Sequence, residues 1–156
     1  MTQSRCFANT SQHRHPRNLY MFTFKKSERI TSLKEIDSLF ERGKSSSVVV
    51  FPIRAVYQTY LMPQDKPAPA VKVLVSVAKK RLHHAVDRNR AKRQVREAYR
   101  LQHLPLTEAV KRLDPPTGLR VAFIWLSDTP QPTSKVFAST DKIMSLMEKK
   151  LTSAKQ

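Results

Sequence analysis

Along this chain the spacing of apolar residues switches between a helical period and a strand period, and each switch marks an element. Leu33, Ile36, Leu39 and Phe40 recur at helical spacing, which predicts a short amphipathic helix from about Ser32 to Arg42. Ser32 and Glu35 stand three apart, where each side chain can satisfy a free backbone N–H at the helix start. Gly43 supplies the left-handed residue that ends it. Glu35, Asp37 and Glu41 read as the charged outer face of the same helix. "VVVFPIRAVYQTYL", from Val48 to Leu61, is rich in β-branched and aromatic residues and predicts one long strand, with Pro52 marking an edge position or a bulge. The prolines of "MPQDKPAPA" predict an exposed turn. "VKVLVSV", Val71 to Val77, predicts a second strand pairing antiparallel with the first across that turn.

From Ala85 to about Leu101 the period returns to 3.6, with Ala91, Val95, Ala98 and Tyr99 as a narrow apolar stripe. A short helical piece follows from Leu106 to Leu113 and stops at "DPPTG". "LRVAFIWL" is nearly continuous in apolar residues and predicts a strand buried on both faces. A last helix, Lys135 to Leu151, would set Val136, Phe137, Ile143, Met144, Met147 and Leu151 against the sheet. Residues 1–20 show neither period and are expected to be a disordered basic extension, with Met21 an alternative start. Residues 21–152 then form a single domain, and 153–156 a tail.

Charge changes the picture most. The 156 residues hold 29 Lys and Arg against 12 Asp and Glu, a net charge of +17 that a negatively charged partner would neutralise. The excess is concentrated in the helix "VDRNRAKRQVREAYR" and the loop "AKKRLHH" that feeds it, where Arg outnumbers Lys. Arg88, Lys92, Arg96 and Arg100 recur every fourth residue with Arg90 and Arg93 beside them. Such like-charge pairs each destabilise an isolated helix by roughly 0.2–0.5 kcal/mol, and Glu97 can relieve them only by pairing with Arg93 or Arg100. A solvated face normally mixes signs; this one matches a polyanion, and arginine's planar fork suits phosphate and base edges. Nothing in the pattern suggests membrane: no apolar run approaches the ~20 residues of a span. The start lacks a secretory signal's apolar stretch, and the single Cys6 cannot form a disulfide within the chain, so a cytoplasmic location is expected.

Candidate catalytic groups are few. A metal-dependent nuclease needs converging carboxylates, and the acids here are scattered. His83 and His84 are adjacent and point apart, and His13 and His15 fall in the tail. With only Gly43 and Gly118, there is no phosphate-cradling glycine loop. No catalytic residue and no metal ligand is expected in the polypeptide.

"SVAKKRLHHAVDRNRAKRQVREAYR" resembles the central signature of the protein subunit of bacterial ribonuclease P, in which a Lys-Lys loop leads into an Arg-Asn-Arg helix. "SERITSLKEIDSLFERGKS" resembles that family's first helix, and the likeness extends over about residues 25–151. It implies an α+β, two-layer sandwich with a mixed four-stranded sheet, like the second domain of ribosomal protein S5, and a left-handed crossover carrying the RNA-binding helix. It also implies an endoribonuclease whose catalyst is RNA. The partner would be the catalytic ribonuclease P RNA, one protein per RNA, and the substrate precursor tRNA, whose 5′ leader is removed with Mg²⁺ held mainly by the RNA. RNA-binding residues would be Lys79, Lys80, Arg88, Asn89, Arg90, Lys92, Arg93, Arg96 and Arg100. The leader would meet Phe40, Phe51, Arg54 and Tyr57, since stacking on aromatic rings tolerates any sequence. The chain departs from the family pattern at Ile36, where a Phe is common, at Arg54, near a usual aromatic, and in "KKRLHHAVD", one residue longer and without the usual glycine. A ribosomal or other structural RNA-binding protein, or a DNA-binding module, would share the composition.

Overall fold

The computed structural model describes residues 23–63, 65 and 68–153. The expected basic extension, Met21 and the last three residues lie outside that range. Within it, four strands form one sheet in the order β1-β2-β4-β3: β1 is Ser46–Val50, β2 Ile53–Leu61, β3 Val71–Ser76 and β4 Thr117–Trp125. The single long strand expected from Val48 is therefore two strands. Val50 pairs with Ile53, so Phe51 and Pro52 form a tight reversal between antiparallel partners. Proline has no N–H for a ladder, and here the chain turns at it instead of bulging.

The expected antiparallel pairing of β3 with β2 does not form either. β4 lies between them, antiparallel to β2 and parallel to β3. Only β4 has the composition for that central place: Leu119, Val121 and Phe123 are at most 1% exposed on one face, and Ala122 is fully buried on the other. A parallel pair cannot be closed by a turn. Residues 77–116 cross over instead, carrying α2 (Ala85–Gln102) and α3 (Leu104–Lys111).

The two sheet faces are covered unequally. Ile53, Ala55 and Tyr57 of β2 share one face with Val71, Val73, Leu119, Val121 and Phe123, and these pack with α2, α3 and the last helix, α4 (Thr133–Ser153). From α4, Val136, Ile143, Met144, Met147 and Leu151 are buried as expected, whereas Phe137 is only partly so. This is the two-layer α+β sandwich with a mixed sheet. The opposite face carries just α1 (Leu33–Phe40), which seats Leu39 with Val56, Ala122 and Ile30.

α1 departs from its expected stripe. Leu39 is fully buried and Ile36 partly, but Leu33 is 76% and Phe40 45% exposed. The Ser32 side chain makes no capping bond, and Glu35 does not turn back to the helix start. Nor does Glu35 belong to a solvated face: it reaches across to Lys72 Nζ at 2.6 Å and Arg120 Nη2 at 3.5 Å. Two cations from neighbouring strands outcompete one backbone N–H for this half-buried carboxylate. The helix stops at Phe40 with Glu41 extended at its C-cap, so the left-handed Gly43, at φ +82°, falls in the turn beyond and does not itself end the helix; Ser45 Oγ donates to the Leu39 carbonyl.

Leu39→Ala should cost about 2–5 kcal/mol of unfolding free energy in urea titrations, because it empties the apolar centre of the contact between α1 and the sheet. Leu33→Ala should change it by no more than about 0.5 kcal/mol.

Candidate functional site

α2 docks through a stripe that is apolar but for one amide. Ala91, Val95, Ala98 and Tyr99 are at most 2% exposed, and Gln94 is 8% exposed. The Gln94 amide donates to the Gln131 carbonyl at 3.1 Å and to Thr133 Oγ1 at 2.9 Å, tying α2 to the start of α4. Tyr99 meets Phe24 edge-on with ring centroids 5.4 Å apart and stacks on His103 at 5.1 Å. Burial pushes its hydroxyl well above the ordinary phenol range, and the Glu28 charge adds to that. Tyr99 is thus a neutral anchor rather than an acid–base group.

The basic row is not uniform. Arg88 Nη1 donates to the Leu82 carbonyl at 2.9 Å and to the His83 carbonyl at 2.7 Å, closing the loop before α2 on itself. Arg100 holds Glu97 through two bonds, Nε to Oε2 at 2.9 Å and Nη2 to Oε1 at 2.6 Å. The Arg100 hydrogen bond keeps the Glu97 carboxyl below its usual range, and the alternative pairing with Arg93 does not occur. Arg81 pairs with Asp128 at 2.9 Å. Asn89, Arg90, Lys92, Arg93 and Arg96 have no hydrogen-bond or ion-pair partner among the described residues. All five are exposed or half-exposed, and Lys79 and Lys80 are exposed in the turn after β3. Asn89, Arg90 and Arg93 line one side of α2 around a hollow of about 540 Å³ that Val86 and Thr133 complete. His83 and His84 are exposed, and no three His, Cys, Asp or Glu side chains converge among the described residues.

On the other sheet face, register defines a groove. Val49 pairs with Arg54, Arg54 with Ile124, and Ile124 with Ser76, so these four form one row across all four strands. The next row, Val56, Ala122 and Leu74, lies beneath α1. Around α1, Ser38 and Phe40 sit about 100° to either side of Leu39, and Leu33 and Ile36 fall on Phe40's side. Ser38 Oγ donates to Gln58 Oε1 at 3.2 Å, which turns that flank toward the row beyond Val56. Leu33, Ile36 and Phe40 therefore wall the opposite flank, above Val49, Arg54, Ile124 and Ser76. Val49 is 56% exposed and Arg54 is exposed, so an apolar trough lies open with one cation on its floor.

The four residues expected to share a leader-binding surface separate. Phe40 and Arg54 border the groove. Phe51 sits at the sheet end, with Lys135 Nζ 4.7 Å from its ring centroid and its carbonyl accepting from Ser139 Oγ. Tyr57 must be removed from the set: it is 6% exposed and belongs to the helix-covered core. The strand period already placed it opposite Arg54, three residues away. Val49, Ile124 and Leu33 also border the groove, and splitting the strand at Pro52 brings Val49 beside Arg54.

Fold and site define a class: a small, strongly basic α+β protein whose crossover helix presents unpaired cations, with an apolar trough on the far face of the sheet. The Ribonuclease P family profile matches residues 24–116. The ribonuclease P protein component of Porphyromonas gingivalis is 41% identical over 107 residues, 69% of this chain and 73% of the relative. That of Chlorobium phaeobacteroides is 39% identical over 82 residues, 53% of this chain and 55% of the relative. The solved structure of the Staphylococcus aureus RNase P protein superposes with a TM-score of 0.57 at 16% identity, covering 77% of this chain and 94% of that one, which establishes the shared fold. The chain belongs to the ribonuclease P protein family.

Arg88 and Arg90 should separate by role. Arg88→Ala should lower stability by about 1 kcal/mol in urea titration, because two loop carbonyls lose a charged donor. Arg90→Ala should leave the unfolding midpoint unchanged.

Proposed function

We propose that this chain is the protein subunit of a ribonuclease P ribonucleoprotein, the endoribonuclease that removes the 5′ leader of precursor tRNA by hydrolysis. One observation carries the reading: on α2 the charges that fold the protein, Arg88 and Arg100, are separate from Asn89, Arg90, Lys92, Arg93 and Arg96, which have no partner among the described residues. A helix face that retains such repulsion is stabilised when phosphates arrive. The catalytic RNA is that partner, one protein to each RNA, with Lys79 and Lys80 extending the contact.

The groove beside α1 takes the 5′ leader. Phe40 and the apolar wall offer stacking surface to any base, and Arg54 offers a cation to the backbone. Gripping the leader broadens the range of precursors accepted. Screening phosphates on the RNA lowers the Mg²⁺ the assembly needs. Mg²⁺ would be held mainly by the RNA, where it would supply the hydrolytic chemistry. No described helix is long and apolar enough to cross a membrane, and we place the assembly in the cytoplasm with its tRNA substrates.

Reconstitution tests this directly. Protein and RNA subunit together should cleave the 5′ leader at low Mg²⁺, and neither should do so alone; cleavage by the protein alone would overturn the division of labour. Arg90→Ala should reduce the slope of log affinity for the RNA against log salt by roughly 0.7–0.9, the loss of one phosphate contact. Phe40→Leu should weaken binding of precursor tRNA by about 1–3 kcal/mol while sparing mature tRNA. Equal losses on both tRNAs would take Phe40 out of the leader contact.

A further inference from the structure

The segment before α1 runs along the free edge of β3. Ile30 N–H donates to the Val73 carbonyl at 3.0 Å, and Arg29 forms a parallel bridge with Val73, so the sheet fixes the backbone of Arg29. Its guanidinium lies over the Phe24 ring, 5.1 Å from the centroid, and Phe24 is wedged edge-on against the buried Tyr99. Phe24 is half-buried and Arg29 exposed. A cation–π contact of this kind holds the guanidinium over the ring and leaves N–H donors free. The side chain is thereby held in place before any ligand binds, which reduces the ordering cost of binding.

Arg93, Arg96, Glu97 and Arg100 face this pair across an open hollow of about 490 Å³. Glu97 is already held by Arg100, so it does not neutralise the others. Arg29, Arg93 and Arg96 bring three positive charges to one concave surface with an aromatic ring in its wall, and no acidic side chain pairs with any of them among the described residues. A smaller hollow of about 150 Å³ continues from Phe24, Arg29 and Arg96 along Leu74 and Val75 of β3. Leu74 also packs in the cluster beneath α1, so this path points toward the groove on the far sheet face.

We propose that Phe24, Arg29, Arg93 and Arg96 form a second RNA-binding site, which takes an unpaired nucleotide of the RNA subunit and its flanking phosphates. It lies along the same exposed face of α2 as the Asn89 and Arg90 surface, further toward the C-terminus of the helix, and Arg93 borders both hollows. Arg29 and Phe24 are its distinctive members. Together the two sites extend the RNA contact along one exposed face of the helix, and the second carries it around the β3 edge. The proposal rests on the reading of the chain as an RNA-binding subunit.

The test uses the full chain with RNA subunit transcribed in vitro, comparing wild type, Arg29→Ala, Arg29→Lys and Arg90→Ala. Affinity is measured across a salt series, RNA protection by hydroxyl-radical footprinting, and folding by urea midpoint. Arg29→Ala should weaken RNA binding roughly tenfold and lower the salt slope by about 0.7–0.9 without moving the urea midpoint. Arg29→Lys should keep the slope but recover only part of the affinity, because an ammonium keeps the charge and loses the guanidinium's planar fork of donors. The nucleotides exposed by Arg29→Ala should differ from those exposed by Arg90→Ala. An unchanged slope and footprint in Arg29→Ala, with wild type binding normally, would overturn the second site and leave the subunit assignment standing. A loss confined to precursor tRNA would also overturn it, as would a lowered urea midpoint in both Arg29 variants. Wild-type protein that fails to bind the RNA would instead remove the subunit assignment, and the second site with it.

Discussion

The parallel pairing of β3 with β4 is the constraint from which the rest of the structure follows. Antiparallel neighbours can be joined by two residues, as β1 and β2 are at Phe51 and Pro52. Parallel neighbours require the chain to travel back along the sheet before it can pair. That return path is residues 77–116, and it contains α2, whose Arg90, Lys92, Arg93 and Arg96 form no ion pair among the described residues. Had β3 paired antiparallel with β2 across the proline-rich turn, no such crossover would have been needed at this place. The helix is held on the sheet by a narrow stripe of Ala91, Val95, Ala98 and Tyr99, which leaves more than half its circumference to charge.

Charge on α2 is divided between side chains that hold the fold and side chains that have no partner among the described residues. Arg88 closes the loop that feeds the helix, and Arg100 pairs with Glu97, so these two serve the fold. The others, Arg90, Lys92, Arg93 and Arg96, are left to repel one another. An arrangement of this kind costs little in isolation and gains when an anionic chain binds, because each contact releases counterions from that chain. Asn89, between Arg88 and Arg90, adds a directional donor and acceptor where the cations supply only attraction.

The groove depends on where α1 sits, and α1 is held at two points. Leu39 fills the space over Val56 and Ala122, and Glu35 reaches Lys72 and Arg120 on the polar flank. Arg120 in turn lies 4.0 Å from the Tyr60 ring centroid, and the Tyr60 ring occupies the space that a Cβ at Gly118 would need. With one flank fastened by ions, the other flank, bearing Leu33, Ile36 and Phe40, stands open above the row from Val49 to Ser76. Exposed apolar side chains on a short helix would ordinarily be a liability; beside a trough with Arg54 on its floor they form one continuous surface.

Local pattern alone was enough for most elements of this protein and for its basic helix, though it ran β1 and β2 together as one strand. The 3.6 period located α2 and α4, and the continuous run in β4 marked it as the strand buried on both faces, because those signals are written in neighbouring residues. The order "RNRAKRQVRE" similarly carried the family likeness without any structure. What the sequence could not decide were choices between distant partners. Glu35 was placed at a cap because its competitors, Lys72 and Arg120, lie 37 and 85 residues away. β3 was paired with the strand nearest in sequence, because nothing local shows that β4 will take the place between them. The division of the arginines into folding and free, and the meeting of Phe24 and Arg29 with Arg93 and Arg96, came only with the tertiary structure, since they depend on which surfaces the crossover brings together.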